Sequence, residues 1–257
     1  MVGSIEIFTT RGLFGAFRIG HVIVAVMWMG LLWYFNFVQT PAYAELDPAV
    51  RNSAFDKITW RALWWFRWAA AATVVFGLLL LAIGSGAKNT IGLYRKDYWV
   101  HSAAGPTLGI GILFGIVMFL NVWLVIWPKQ QIVIANARNL LAGGEANPNA
   151  AAAARAGAMA SRQNTIFSIP LLVFMVGASH FYSVAPVFTK FLSSGHTIPY
   201  WLIGIIILIV MELNCLGKIS GTGNTGLNWM YETHKNAIIT GFGLVVFFYL
   251  FAEIILR

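Results

Sequence analysis

The sequence predicts an all-α integral membrane protein: a bundle of about six transmembrane helices, with an extramembrane helical hairpin between the third and fourth. Three observations lead to that class. The 257 residues are 59% hydrophobic and 15% aromatic, and only 10% are charged, less than half the quarter usual for soluble proteins. The mean hydropathy is +0.74. Six stretches also reach the length of about 20 mainly apolar residues that a span requires, at 17–38, 63–83, 106–127, 165–188, 200–217 and 236–256. They use about half the chain, so residues 1–257 read as a single multi-pass domain.

Each element has its own signal. The first stretch is too long and too aromatic for a cleavable leader, and no small-residue cleavage site follows it. Gln39-Thr40-Pro41 is expected to end its helix, because a proline disfavours helix in the residue before it. The second stretch opens with Trp60, Trp64, Trp65 and Trp68, interleaved with Arg61 and Arg67, the pattern of an interfacial aromatic belt with snorkelling arginines. The third carries Gly105/Gly109 and Gly111/Gly115, spacings that let helices approach closely, and ends on Trp123 and Trp127. The long connection at 128–164 reads as the hairpin. Gln130–Leu141 extends the third helix, a turn runs through Gly143-Gly144 to Pro148, and an alanine-rich helix covers Ala150–Ser161. Tyr200-Trp201 opens the fifth span.

Composition excludes several classes. Disorder requires low hydrophobicity. The net charge of +8 comes from 17 Lys/Arg against 9 Asp/Glu; in a membrane protein that excess belongs to loops facing anionic headgroups rather than to nucleic acid. Cys215 is the only cysteine, so no disulfide scaffold exists. No zinc-type Cys/His pairing and no phosphate-binding glycine loop occurs. The expected partners begin with the lipid bilayer and do not include nucleic acid. With six spans, seven Lys/Arg (Arg11, Arg18, Lys88, Arg95, Lys96, Lys190, Arg257) fall on the amino-terminal side and the other ten on the opposite side. Positive loops stay inside, so both termini are expected in the periplasm.

Four of the five histidines gather by depth near one face. His21 lies a turn into the first span, His101 precedes the third, His180 comes late in the fourth, and His196 follows in the next loop. His234 falls at the other face. A buried membrane histidine is costly without a partner, which makes it a functional candidate. His21 and His180 would hold a haem b edge-on, each giving one imidazole nitrogen to iron. Trp28 and Val173, seven residues away on the same helix faces, would wall the macrocycle. His101 is a third ligand or an orienting partner, and a copper site on these three histidines is another reading. Each histidine can equally be a residue that simply bonds a carbonyl. Glu212 lies within the fifth span, at a depth matching Arg67 and Asn121. A buried Glu212–Arg67 pair is expected, as structure, proton path or the floor of a polar pocket, and these two are the catalytic candidates. Glu253 is expected at the interface.

Certain residues resemble a known family. Gly20-His21-Val22-Ile23 with Trp28-Met29-Gly30, then Asn121-Val122-Trp123 through Trp127-Pro128-Lys129-Gln130-Gln131, then Ser161-Arg162-Gln163-Asn164 with Ile169-Pro170 and Ser179-His180-Phe181-Tyr182, are similar to the membrane domain of the cytochrome-c-linked bacterial urate oxidases. The resemblance extends over 17–182 and is clearest over 121–182. It implies a multi-pass domain of the bacterial inner membrane that oxidises urate and passes electrons to a cytochrome c. Two departures stand out. The c-type haem attachment pattern is absent, so the cytochrome c partner is expected to be a separate chain, and Gln163 stands where the family pattern has a histidine.

Two functions therefore compete. One is a haem-b redox protein that hands electrons to a separate periplasmic cytochrome c, with urate-oxidase-like chemistry. The other is a non-catalytic accessory or scaffold subunit of a larger membrane complex, in which small-residue faces, aromatic belt and hairpin bind neighbouring subunits. Transport lacks support, since no pair of interrupted helices recurs in matching halves.

Overall fold

In hydrocarbon, backbone N–H and C=O groups must find partners within their own segment, so apolar stretches of this length become helices. The computed structural model describes residues 6–84 and 92–257 and is all-α, with no strand among the described residues. Seven helices follow in order: α1 (Thr10–Glu45), α2 (Pro48–Ile83), α3 (Lys96–His101), α4 (Ala104–Leu141), α5 (Ala150–His180), α6 (Ser194–Cys215) and α7 (His234–Ile255). Short 3-10 turns at Pro186–Phe188 and Gly226–Tyr231 precede α6 and α7. Helices α1, α2, α4, α6 and α7 are each long and apolar enough to cross a membrane, and the chain is a multi-pass membrane protein. Lys88, counted above toward orientation, lies outside the described residues.

The fourth expected span is α5, which is less apolar than the other five for a structural reason. It occupies the middle of the bundle, between α4 and α7, with α1 alongside. Its Gln163, Asn164, Thr165 and Ser168 are buried against neighbouring helices rather than lipid. It runs antiparallel to α4 over the whole length of both: Phe174 meets Gly111, Leu171 meets Gly115, Asn164 bonds Met118, and Gly157 faces Gln130. Five described helices, against the six spans expected, meet the length and hydropathy of a membrane span, and α5 is not one of them. It ends at His180, not at 188 as expected. Phe181 and Tyr182 both turn back to bond the Gly177 carbonyl, and their rings pack on Phe188 at 5.5 and 5.0 Å.

Pro41 does not end α1, contrary to the sequence expectation. The helix widens into a π-turn at Tyr34–Gln39, where the Thr40 N–H reaches back to the Phe35 carbonyl, and continues to Glu45. A proline ring collides with the carbonyl four residues earlier; the extra residue of a π-turn moves that carbonyl aside. The same device recurs in α4, where the π-turn Asn121–Ile126 precedes Pro128. A third π-turn, Phe55–Thr59, lies in α2. The arms of the hairpin form as expected. α4 continues to Leu141, the chain reverses at Gly143 with φ of 80°, and α5 starts at Ala150.

Small residues set the close approaches. A Cβ on Gly109 would collide with the Trp201 ring of α6, and one on Gly111 would lie 2.9 Å from the Phe174 Cβ of α5. Pro170 deprives the Ile166 carbonyl of its helical donor, and that oxygen comes to 3.0 Å from where a Cβ on Gly241 of α7 would stand. Around these contacts Phe114 stacks on Phe167 at 4.4 Å, with Phe174 and Phe248 edge-on nearby.

Candidate functional sites at the two ends of the bundle

The four clustered histidines lie at the end of the bundle away from the hairpin, and each is tied to a backbone carbonyl through Nδ1. His21 of α1 bonds the Thr73 carbonyl of α2 at 2.9 Å, in room left by Gly77. His101 closes α3 and bonds the Leu192 carbonyl at 2.8 Å, while the Leu192 N–H returns to the His101 carbonyl. Its ring stacks on Phe191 at 4.6 Å. His180 bonds the Val176 carbonyl one turn back at 3.1 Å, and His196 bonds the Ile255 carbonyl of α7 at 3.0 Å. An imidazole that gives its Nδ1 proton to a carbonyl keeps the Nε2 lone pair free, the form that ligates metals.

His21 and His180 lie at one level, since Arg18 reaches Ser179 Oγ at 3.3 Å. Their rings do not face one another across the bundle interior. His21 is half-buried against α2, whereas His180 is exposed on the outer side of α5 with Val173 and Val176. Of the two expected walls, Trp28 is buried and Val173 is exposed. No cluster of three or more His, Cys, Asp or Glu suited to a metal ion occurs among the described residues.

Glu212 and Arg67 do not meet. Glu212 accepts from Asn121 Nδ2 at 3.0 Å. Asn121 Nδ2 also lies 3.1 Å from Asn164 Oδ1, and Asn164 Nδ2 donates to the Met118 carbonyl at 2.9 Å. This chain of amides joins α6, α4 and α5 in the middle of the bundle. Arg67 instead sits over aromatic faces, 3.8 Å from the Trp127 ring centre and 4.7 Å from that of Trp123. Tryptophan rings attract a guanidinium without the cost of burying a carboxylate beside it. Glu253 pairs with Arg257 at 3.5 Å near the end of α7.

The hairpin end holds the feature that sequence reading missed. A cavity of about 310 Å³ opens between α1, α2, α4 and α5. All three π-turns border it: Asn36 and Gln39 come from the first, Phe55 and Thr59 from the second, and Ile126 from the third. On the fourth side α5 contributes the small residues Gly157, Ala158 and Ser161, then Arg162. Three of the lining residues have a buried polar atom without a partner: Gln39 Oε1, Gln130 Oε1 and Arg162 Nε. Arg162 is anchored by Nη1 on the Tyr231 carbonyl at 2.6 Å. Burial holds the Tyr231 phenol above its usual range, so it stays a donor and lies 2.7 Å from Gln163 Oε1. Asn36 donates to Ser161 Oγ at 2.8 Å and fastens α1 to α5 beside the cavity. The available signals were local: a polar residue one or two positions before or after each proline, and Arg162 amid small residues. Hydropathy alone does not reveal π-turns.

Comparison with known families reaches residues at both ends of the bundle. Residues 93–210 match the urate oxidase N-terminal family. The match spans just under half the chain, from the approach to α3 into α6. It includes the clearest stretch of the resemblance, 121–182, and supports a urate-oxidase-type membrane protein at that coarse level. His101, His180, Gln130 and Arg162 fall inside this urate oxidase N-terminal stretch; His21, Arg67, Gln39 and Glu212 fall outside it. Neither the curated proteins nor the solved structures contain a match.

Proposed function

We propose that this chain is a membrane redox protein of the urate oxidase type that holds haem b at the histidine end through the free Nε2 of His21 or of His180, which do not face one another, and passes electrons to a separate periplasmic cytochrome c. One observation carries the reading: at the end away from the hairpin, several histidines are fixed in the tautomer with a free Nε2, within a chain whose middle matches the urate oxidase N-terminal family. The donor chemistry suits haem iron, since neutral imidazole is a common axial ligand. When bound, haem supplies one-electron redox chemistry at the edge of the bundle. The chain's own residues orient the donors. The Thr73 carbonyl sets the His21 ring and the Val176 carbonyl sets His180, while His101 and Phe191 form a stacked flank at the same end. In this reading both termini face the periplasm of the bacterial inner membrane, which brings the histidine end to the compartment of the carrier.

A reduced-minus-oxidised spectrum of the purified protein, with haem quantified per chain, tests this. About one b-type haem per chain is expected, lost in His21→Ala or His180→Ala. A haem-replete double variant overturns the ligand assignment. Absence of haem from the wild-type protein overturns the redox reading in favour of an accessory subunit of a membrane complex.

A further inference from the structure

The cavity at the hairpin end is outside everything assigned to the histidines, and its depth in the bundle is well defined. Four apolar stretches end at it. Gln39 directly follows the first, Leu63 opens the second, Ile126 lies within the last turn of the third, and Arg162 shortly precedes the fourth. Trp60 and Trp127, next in sequence to the lining residues Thr59 and Ile126, meet at 5.2 Å, and tryptophan gathers at the level of lipid headgroups. The lining changes along this depth. Phe35, Leu63, Phe66 and Ile126 belong to the apolar stretches, whereas Arg51, Gln130 and Arg162 lie beyond them. No lining residue is a carboxylate, and neither arginine enters an ion pair among the described residues. The unpartnered atoms are of two kinds: Arg162 Nε is a donor, while Gln39 Oε1 and Gln130 Oε1 are acceptors. A buried polar atom without a partner is destabilising, and native proteins retain such atoms where something else supplies the missing bond. π-turns concentrate at functional sites, and here all three described π-turns converge on one hollow.

We propose that this cavity binds a phosphate ester bearing free hydroxyl groups, the headgroup chemistry of phosphatidylglycerol, with Arg162 and Arg51 meeting the phosphate and the side-chain carbonyls of Gln39 and Gln130 accepting from the hydroxyls. Each part of the ligand answers a part of the cavity. The anion matches two guanidinium groups without a carboxylate, and the hydroxyls match two open acceptors. The glycerol backbone matches the step from polar rim to apolar floor. Basic pockets between membrane helices are places where anionic headgroups bind, and a volume of about 310 Å³ holds a headgroup while the acyl chains stay in the bilayer. A choline headgroup would cancel the charge and bring no donor to the glutamines. Soluble glycerol phosphate shares the recognised chemistry, so the test separates the two sources. Nothing in the assignment rests on the haem reading.

Native mass spectrometry of the full chain, released from detergent micelles doped with one lipid at a time, tests it. The probes are phosphatidylglycerol, phosphatidylcholine and phosphatidylmethanol, which keeps the phosphodiester charge without a free hydroxyl; soluble glycerol 3-phosphate is added to a parallel sample. One tightly retained phosphatidylglycerol per chain is expected. Phosphatidylmethanol should be held at least about tenfold more weakly, the effect of losing hydrogen bonds to buried acceptors, and phosphatidylcholine should not be retained. Gln39→Leu should bring phosphatidylglycerol down to the level of phosphatidylmethanol and leave phosphatidylmethanol unchanged. Ala158→Leu, which fills the cavity from a half-buried position on α5, should abolish the tight site. Should either variant fail to fold, the other decides, together with the contrast between the two anionic lipids on the unaltered chain. Glycerol 3-phosphate retained as tightly as the lipid would support the same chemistry and assign it to a soluble ester. Retention of neither ester, equal retention of phosphatidylmethanol, or an undiminished site in Ala158→Leu would each overturn the proposal. Binding is read as mass and the haem reading as colour, so either can fail without the other.

Discussion

The two halves of the bundle are built on opposite plans, and α4 passes through both. Over Ala103–Gly111 every residue of α4 and its lead-in is buried, and the glycines there exist so that Trp201 and Phe174 can press against the backbone. Beyond Leu120 the same helix loosens into a π-turn, its neighbours α1 and α2 do likewise, and a cavity opens where the first half is solid. Between them the Glu212–Asn121–Asn164 chain satisfies its polar groups across three helices. The difference is instructive because in a bilayer helices gain little hydrophobic energy from each other and associate through packing and hydrogen bonds. A half that gives up packing and leaves amides open has a use other than stability.

The same glycine substitution should break the symmetry between halves most sharply. Gly109→Ala in the solid half drives a methyl into the Trp201 ring and should cost about 2 kcal/mol, the range for overpacked cores. Gly157→Ala in the hollow half meets the end of the Gln130 side chain at 3.3 Å and the Lys129 Cβ at an ordinary 3.6 Å and removes a helical glycine, so stability should rise by about 0.5 kcal/mol. Unfolding of both variants in mixed micelles checks the pair; equal costs would erase the distinction. Asn164→Leu, at the boundary, removes the bonds from Asn164 to Asn121 Nδ2 and to the Met118 carbonyl, which keeps the Asn121 backbone N–H, and should cost about 1 kcal/mol by the same assay. Arg67→Ala loses its place over Trp123 and Trp127 at a cost of about 1 kcal/mol, visible also as altered tryptophan fluorescence. Gln39→Leu should be the mildest, neutral or stabilising by up to about 1 kcal/mol, because its carbonyl has no partner to lose. A large destabilisation there would mean that Gln39 supports the fold rather than a ligand.

Most of the fold was legible because lipid imposes a simple rule on sequence. Residues at 236–256 and 200–217 had to be helices, and α7 and α6 lie there. The hairpin was legible from its turn chemistry, with Gly143 in the left-handed region where an ordinary residue is strained. Two of the expectations that failed share a reason: tertiary packing outweighed a local signal. Pro41 should have ended α1, and a π-turn carried the helix past it. Arg67 should have paired with Glu212, and Trp127 and Asn121 claimed one each.

Of the candidate sites, the sequence by itself determined the membrane class, the helical hairpin and the gathering of four histidines at one end, because apolar run length and position along a span fix depth. It also carries, over 93–210, the pattern of the urate oxidase N-terminal family. Only the tertiary structure decided which way each side chain points and what it meets. Depth along a helix is a one-dimensional property readable from residue number, whereas azimuth shifts with every inserted π-turn and accumulates along α1, α2 and α4. That is how Gln39, Gln130 and Arg162, the first and last of them 123 residues apart in the sequence, come to line one cavity, whereas on α5 and α6, which carry no π-turn, helix packing turns His180 and Val173 outward and sets Glu212 on an amide instead of an arginine.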